Sequence, residues 1–434
     1  MFHKIILFVS ILLLSVSLFA ETVSNRNALG FKGEKFDVET DATGKLHMVF
    51  KRNADIYYRS GSYEHVVPGC GGSYNSRWYP RLAVEGNGNA HISWSGPPPT
   101  SSTRNIYYNS YVNGSWTGRI TAISDDEGGA DTNRNDITIL NNKPLICAQS
   151  DYAIECSLFP FTNDVPISKD TNEPKFPSVE GPQLIYNKDT ANSGLQGNTW
   201  NNGFWGPNFR PFGNGGPCCV NHIGIANDNA GQPHYAWITW SNDVDLFSTL
   251  FYGTGSSYKT IVSGSKFFTC PSDECPIPQL AVTDKGRICL VYATGGSNSK
   301  VWYCVNSGNG MTAPKRLSQI GNQNYPGTAA HGETVYVVYC DGQGNAYQQD
   351  IVFEVVEPTP THTPEPTATE TPTPDITPTA TPTPDNGNGG IGCPFHRSAH
   401  GSDGTGTGKT NIDEFLLSIL FGMAMIWLIF KTFR

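Results

Sequence analysis

The chain has 434 residues, a net charge of −9 and only 15% charged residues, so it lacks the basic footprint of a nucleic-acid-binding protein. Its 46 glycines and 12% aromatic residues favour strands joined by glycine turns, and therefore an all-β head with a large core.

At the N-terminus, Lys4 precedes an apolar run over residues 5–19, and Leu18, Phe19 and the small Ala20 follow. Charge, apolar run and small residue are the order of a secretory signal, so residues 1–20 are expected to be removed after Ala20. The run is short for a membrane span, which leaves an uncleaved anchor helix as the alternative.

Residues 21–356 form the expected head. FDVETDATGKLHMVF, RLAVEGNGNAHISW, IGIANDNAGQPHYAW, QLAVTDKGRICLVY and TAAHGETVYVVY each read as an apolar strand, a polar turn and an alternating strand ending in an aromatic. A third strand often follows, as in DIYYRS, NIYYNSYVNGSW and VWYCVN, and weaker copies occur at ITILNNKPLICAQ and SVEGPQLIYNK. Turns at Gly44, Gly88, Asn142, Gly181, Gly231, Gly286 and Gly332 define seven units. Their spacing of roughly 40 to 55 residues matches a four-stranded propeller blade. Seven blades are expected, with six as the alternative because the unit around residues 178–186 is weak. Phe50, Trp94, Trp237, Tyr292 and Tyr339 recur at one strand position and read as inter-blade core.

PRLAVEGNGNAHISW and NIYYNSYVNGSW resemble the repeats of bacterial sialidase-like and related six- or seven-bladed propellers. The resemblance covers the head and implies the fold. It extends to lectins, hydrolases and proteins of no known activity, so function must come from a site. The sialidase Asp-box, Ser/Thr-x-Asp-x-Gly-x-x-Trp, does not recur, and Arg81 alone offers an arginine at the start of an inner strand. No Gly-x-Ser-x-Gly elbow, His-Glu-x-x-His motif or phosphate loop occurs.

Ten cysteines precede the stalk and Cys393 follows it. In an exported chain they suit disulfides better than metal ligation. Cys147 with Cys156, and Cys289 with Cys304, flank hairpin turns and are expected to bridge neighbouring strands; Cys270 and Cys275 could close a small loop. Adjacent Cys218 and Cys219 are expected to take separate partners. His47, His91 and His234 repeat after the turn, and repetition around a blade ring argues for a structural role. Asp125, Asp126, Glu127, Asp131 and Asp136 form an acidic stretch, read as solvated, with a calcium site as the minority alternative. No other cofactor and no other metal is implied.

Aligned on their first strands, the repeats place Arg81, Asp136, His222 and Gln279 at equivalent starts, where rotation about the axis would gather them into a polar funnel. Trp78, Trp200 and Trp205 lie in aromatic-rich insertions that could overhang it and stack on sugars.

Residues 357–410 begin with a Thr/Pro repeat to Asp385 and then turn glycine-rich. Such a segment has no apolar face and reads as an extended, semi-rigid stalk. Residues 415–430 (FLLSILFGMAMIWLIF) carry no charge, and residues 411–434 read as a transmembrane anchor with a short basic tail, Lys431 to Arg434. The basic end should stay cytoplasmic and the head outside. These readings point to a membrane-anchored, extracytoplasmic recognition protein for a glycan or protein ligand, at the cell surface or in the periplasm. The alternative is a glycoside hydrolase or lyase of sialidase-like propeller type.

Overall fold

Hairpin turns set the architecture. The computed structural model describes residues 21–354 apart from 71–78, 97–104, 125–133, 151–152, 163, 170–174, 188–193, 202, 213–219, 241–247, 264–276, 295–298, 307–309 and 319–323. Every inner hairpin reverses at the residue the repeat marks, and each of those residues has positive φ. At Gly88 φ is 86°, a conformation that a side chain disfavours; Asn142 reaches 60°, which asparagine tolerates better than most residues.

Seven antiparallel sheets result. Blade 1 runs outward through Glu34–Thr40, Leu46–Arg52, Asp55–Ser60 and Tyr63–Val66. The inner pairs of blades 2 to 6 are Arg81–Val84 with Ala90–Gly96, Asn135–Leu140 with Lys143–Gln149, Lys175–Glu180 with Gln183–Asn187, Val220–Asn227 with Pro233–Trp240, and Gln279–Val282 with Ile288–Ala293. The weak fourth unit is a full blade, completed by Leu195–Asn201 and Phe204–Trp205. Seven blades, and not six, are present.

Blade 7 closes the ring. Its strands Asn324–His331, Thr334–Cys340 and Asn345–Phe353 come from the end of the head, while Glu21–Val23 and Asn27–Lys32 come from its start and pair with Asn345–Phe353. Phe31 then stacks on Phe50 of blade 1 at 4.8 Å, with the Arg59 guanidinium 4.7 Å from its ring centre. The N-terminal segment therefore ties the last blade to the first.

The core lies between blades. Seven apolar clusters fill the seven junctions. The recurring aromatics belong to them: Trp94 packs between blades 1 and 2, and Trp237 between blades 4 and 5, both fully buried.

Cys147 faces Cys156 across a strand pair, with Cα atoms 4.1 Å apart and a disulfide of 2.07 Å. The expected Cys289–Cys304 bridge is absent. Cys289 opposes Val305, and Cys304 opposes Leu290. This one-residue offset sends the two thiols to opposite faces of the sheet, Cys289 toward blade 7 and Cys304 toward blade 5. Both are buried and free, and burial pushes the Cys304 thiol up to about 12. Cys218, Cys219, Cys270, Cys275 and Cys393 lie outside the described residues.

Inner strands of adjacent blades approach closely at Gly224, where an added Cβ would sit 2.1 Å from the Pro278 carbonyl oxygen. Gly224→Ala should therefore cost about 3 kcal/mol or more by overpacking against backbone. Gly231→Ala, in an open turn at φ 74°, should cost about 1–2 kcal/mol. Urea denaturation of the two variants checks this ranking.

Candidate functional site

The innermost strands put three tiers of equivalent residues around the axis. The tier farthest from the hairpin turns is Lys35, Tyr79, Arg134, Phe176, His222, Ile277 and Tyr325, in blade order. In blades 1, 4, 5 and 7 it sits on a β-bulge, and Lys35, Phe176, His222 and Tyr325 have φ of 55°, 58°, 51° and 53°. Non-glycine residues rarely adopt this conformation, and four at one level must be held by their surroundings. The Lys35 ammonium lies 4.4 Å from the Tyr79 ring centre. Arg134 lies 5.5 Å from Tyr79 and 4.0 Å from Phe176, and Phe176 meets His222 edge-on at 5.1 Å. Arg134 also contacts His222 Nδ1. Cation and aromatic alternate, and the first five members are each at most 9% exposed. They form a collar that narrows the channel at the strand-start end.

The second tier is Asp37, Arg81, Asp136, Ser178, Gly224, Gln279 and Gly327, set by register with the second strands. Here the carboxylates tie blades together. Asp37 Oδ2 accepts from Leu82 N at 2.8 Å, and Asp136 Oδ2 accepts from Val179 N at 2.9 Å and Ser178 Oγ at 3.1 Å. Arg81 lies between them, 3.9 Å from Asp37 and 3.8 Å from Asp136. Burial raises Asp37 to about 6, against the opposing pull of Arg81. Asp136 moves up for the same reason.

The third tier carries Glu39 and Glu180, from blades 1 and 4, among Ala83, Thr138, Ala226, Ala281 and Ala329. Neither carboxylate makes a hydrogen bond or ion pair among the described residues. Glu39 is exposed into the cavity, yet the blades enclose it. That enclosure, then Glu180, Asp37 and Asp136, push its pKa well above the ordinary carboxylate range. Burial and Asp136 raise Glu180 to about 7. Residues of the second and third tiers line a cavity of about 240 Å³.

Arg81, Asp136 and Gln279 thus share one level and line that cavity. His222 does not join them: the bulge lifts it into the collar, and Gly224 takes its expected place. Burial, Arg134 and Arg81 hold its imidazole neutral, well below its usual range. Trp200 and Trp205 do not overhang the axis. They pair on the two outer strands of blade 4, ring centres 5.2 Å apart, against the blade 3–4 core. Trp78 and the acidic stretch 125–131 lie outside the described residues.

The sequence reading missed Asp37, Glu39 and Glu180. The turns would have found them, because FDVET places two charges, and SVE a polar residue and a charge, two residues apart on strands that should be apolar. The repeated histidines sit away from the axis. His47, His91 and His234 join Tyr58, Tyr108 and Tyr252 through Nδ1 at 2.7, 2.6 and 2.6 Å, and Asp41, Glu85 and Asp228 through Nε2 at 3.3, 3.1 and 3.4 Å. Burial pushes all three imidazoles below their ordinary range. Each triad locks its own blade.

No known protein family and no curated protein matches the chain. Solved structures resemble its fold. A streptogramin B lyase aligns at TM-score 0.47 and 12% identity, over 77% of this chain and 98% of that one. A Penicillium chrysogenum α-L-arabinanase complexed with arabinobiose aligns at 0.41 and 15%, over 64% and 94%. An Aleuria aurantia lectin in complex with Fucα1-6GlcNAc aligns at 0.41 and 12%, over 76% and 98%. Likenesses this distant assign neither ligand nor reaction.

The facing glutamates have a thermodynamic signature. A carboxyl raised in the folded state stabilises the fold below its unfolded pKa, and that stability is lost as pH rises through the folded value. For Glu180 the window runs from 4.5 to about 7. The double variant Glu39→Gln, Glu180→Gln should therefore be more stable than the wild type at pH 8, with the difference gone by about pH 4.5. Urea midpoints across that range check it.

Proposed function

We propose that the chain is an exported, membrane-tethered recognition protein that binds one sugar residue of a glycan in the axial cavity. The observation that carries this reading is the pair Glu39 and Glu180, two carboxylates with no protein partner among the described residues, both lining one axial cavity. A structural role would leave them paired, as Asp37 and Asp136 are. Carboxylates make strong hydrogen bonds to hydroxyl groups, and clustered hydroxyls are what a sugar presents. The cavity is smaller than the roughly 300–1,000 Å³ of drug-sized pockets, which suits one ring-sized group.

Export and tethering rest on residues 1–20 and 411–434, both outside the described residues. No helix among the described residues is long and apolar enough to cross a membrane. The Cys147–Cys156 disulfide supports an oxidising compartment.

One observation favours hydrolysis as the second reading: Glu180 stays protonated up to about pH 7 within the cavity that Asp136 also lines, as a general acid requires.

A glycan array probed with residues 21–356 at pH 8, where Glu180 is ionised, should give hits that Glu180→Gln weakens at least about tenfold, the loss expected for a charge-assisted hydrogen bond. Trp205→Ala, on the outer edge of blade 4, should leave them unchanged. Silence on the array, or hits indifferent to Glu180→Gln, would reject the reading; release of reducing sugar from a hit would establish the hydrolytic one. Protease added to cells with any outer envelope opened should free the head and leave a membrane-bound remnant containing residues 415–430.

A further inference from the structure

The strand through which the chain leaves the head is Asn345–Phe353, nine residues long. It is paired along both edges. Thr334–Cys340 flanks one side; Glu21–Val23 and Asn27–Lys32 flank the other. Further ties converge on it. Ser24 N donates to Asp350 O at 2.9 Å, and Asp350 N donates to Ser24 Oγ at 2.8 Å. Gln349 Nε2 donates to Ser24 O at 3.1 Å, and Phe353 N donates to Glu333 O at 2.9 Å. The Arg26 guanidinium lies 4.3 Å from the Tyr347 ring centre.

We propose that blade 7 is a mechanical clamp against tension, which rests on the reading of the chain as tethered and ligand-binding. Ladder hydrogen bonds lie across the strands, so tension along the exit strand shears both ladders together. An edge strand held on one side has only one ladder to resist with. Glu21–Val23 is such a strand, and it shares the clamp with the exit strand. A head drawn between a held ligand and its stalk would thus be loaded through a strand paired along both edges, and the ring closure would resist opening. Forced unfolding is governed by the unfolding barrier, which this arrangement raises along one direction only.

The test uses the full chain in detergent, so it stands whether or not the tether functions in cells. One handle is fixed at Phe204→Cys, on the outer strand of blade 4, where Phe204 is 78% exposed. Optical tweezers then pull either from a tag after Arg434 or from a tag fused before Glu21. With two ladders against one, the C-terminal pull should need the higher force. Equal or lower force would overturn the proposal. Ser24→Ala with Gln349→Ala should lower the C-terminal rupture force. An unchanged force in a variant that keeps its circular dichroism spectrum would also count against the clamp.

Discussion

A four-stranded sheet with two apolar faces cannot bury either of them alone, and everything else in this head follows from how that problem is solved. Stacking seven such sheets around an axis gives each face a partner, and the fully buried Trp94 and Trp237 mark two of the junctions. The ring has to be shut, and the chain shuts it by returning residues 21–32 to the last blade. Between blades the packing is apolar; toward the axis it cannot be, because the inner strands leave space there that side chains and open volume must share.

The axial residues show how that space is divided. Asp37 and Asp136 spend their oxygens on neighbouring strands and on Arg81, so they belong to the framework even though they line the cavity. The collar spends strained backbone to bring cations over aromatic faces. Of the described axial carboxylates, only Glu39 and Glu180 are left uncommitted, and burying two acids together opposes folding as pH rises through their raised pKa values. Proteins retain such arrangements where a site needs them, which is why the third tier, and neither the collar nor the outer-edge tryptophans, carries the functional reading.

Much of the fold was legible because turn chemistry and strand alternation repeat. All seven turn positions are where the sequence marks them, and Cys147 opposes Cys156 as the hairpin around them requires. Two of the errors are errors of register. Strand register is decided to a single residue, by a bulge at His222 and by the hairpin itself at Cys289 and Cys304, and such a step leaves little trace in sequence. One extra residue moved His222 off the cavity wall, and a one-step offset separated Cys289 from Cys304. The tryptophans failed differently: an aromatic-rich stretch reads the same whether it hangs over an axis or seals an outer edge, and only topology distinguishes the two.

Glu39 and Glu180 stand here as uncommitted acids in one cavity that a ligand fills. Carboxyl-carbon NMR of the head, with glutamates assigned by substitution, reads this directly. Free protein should show Glu180 titrating near 7 and Glu39 above the ordinary range, and a bound glycan should displace both resonances. Two glutamates titrating in the usual carboxylate range and unmoved by ligand would contradict it.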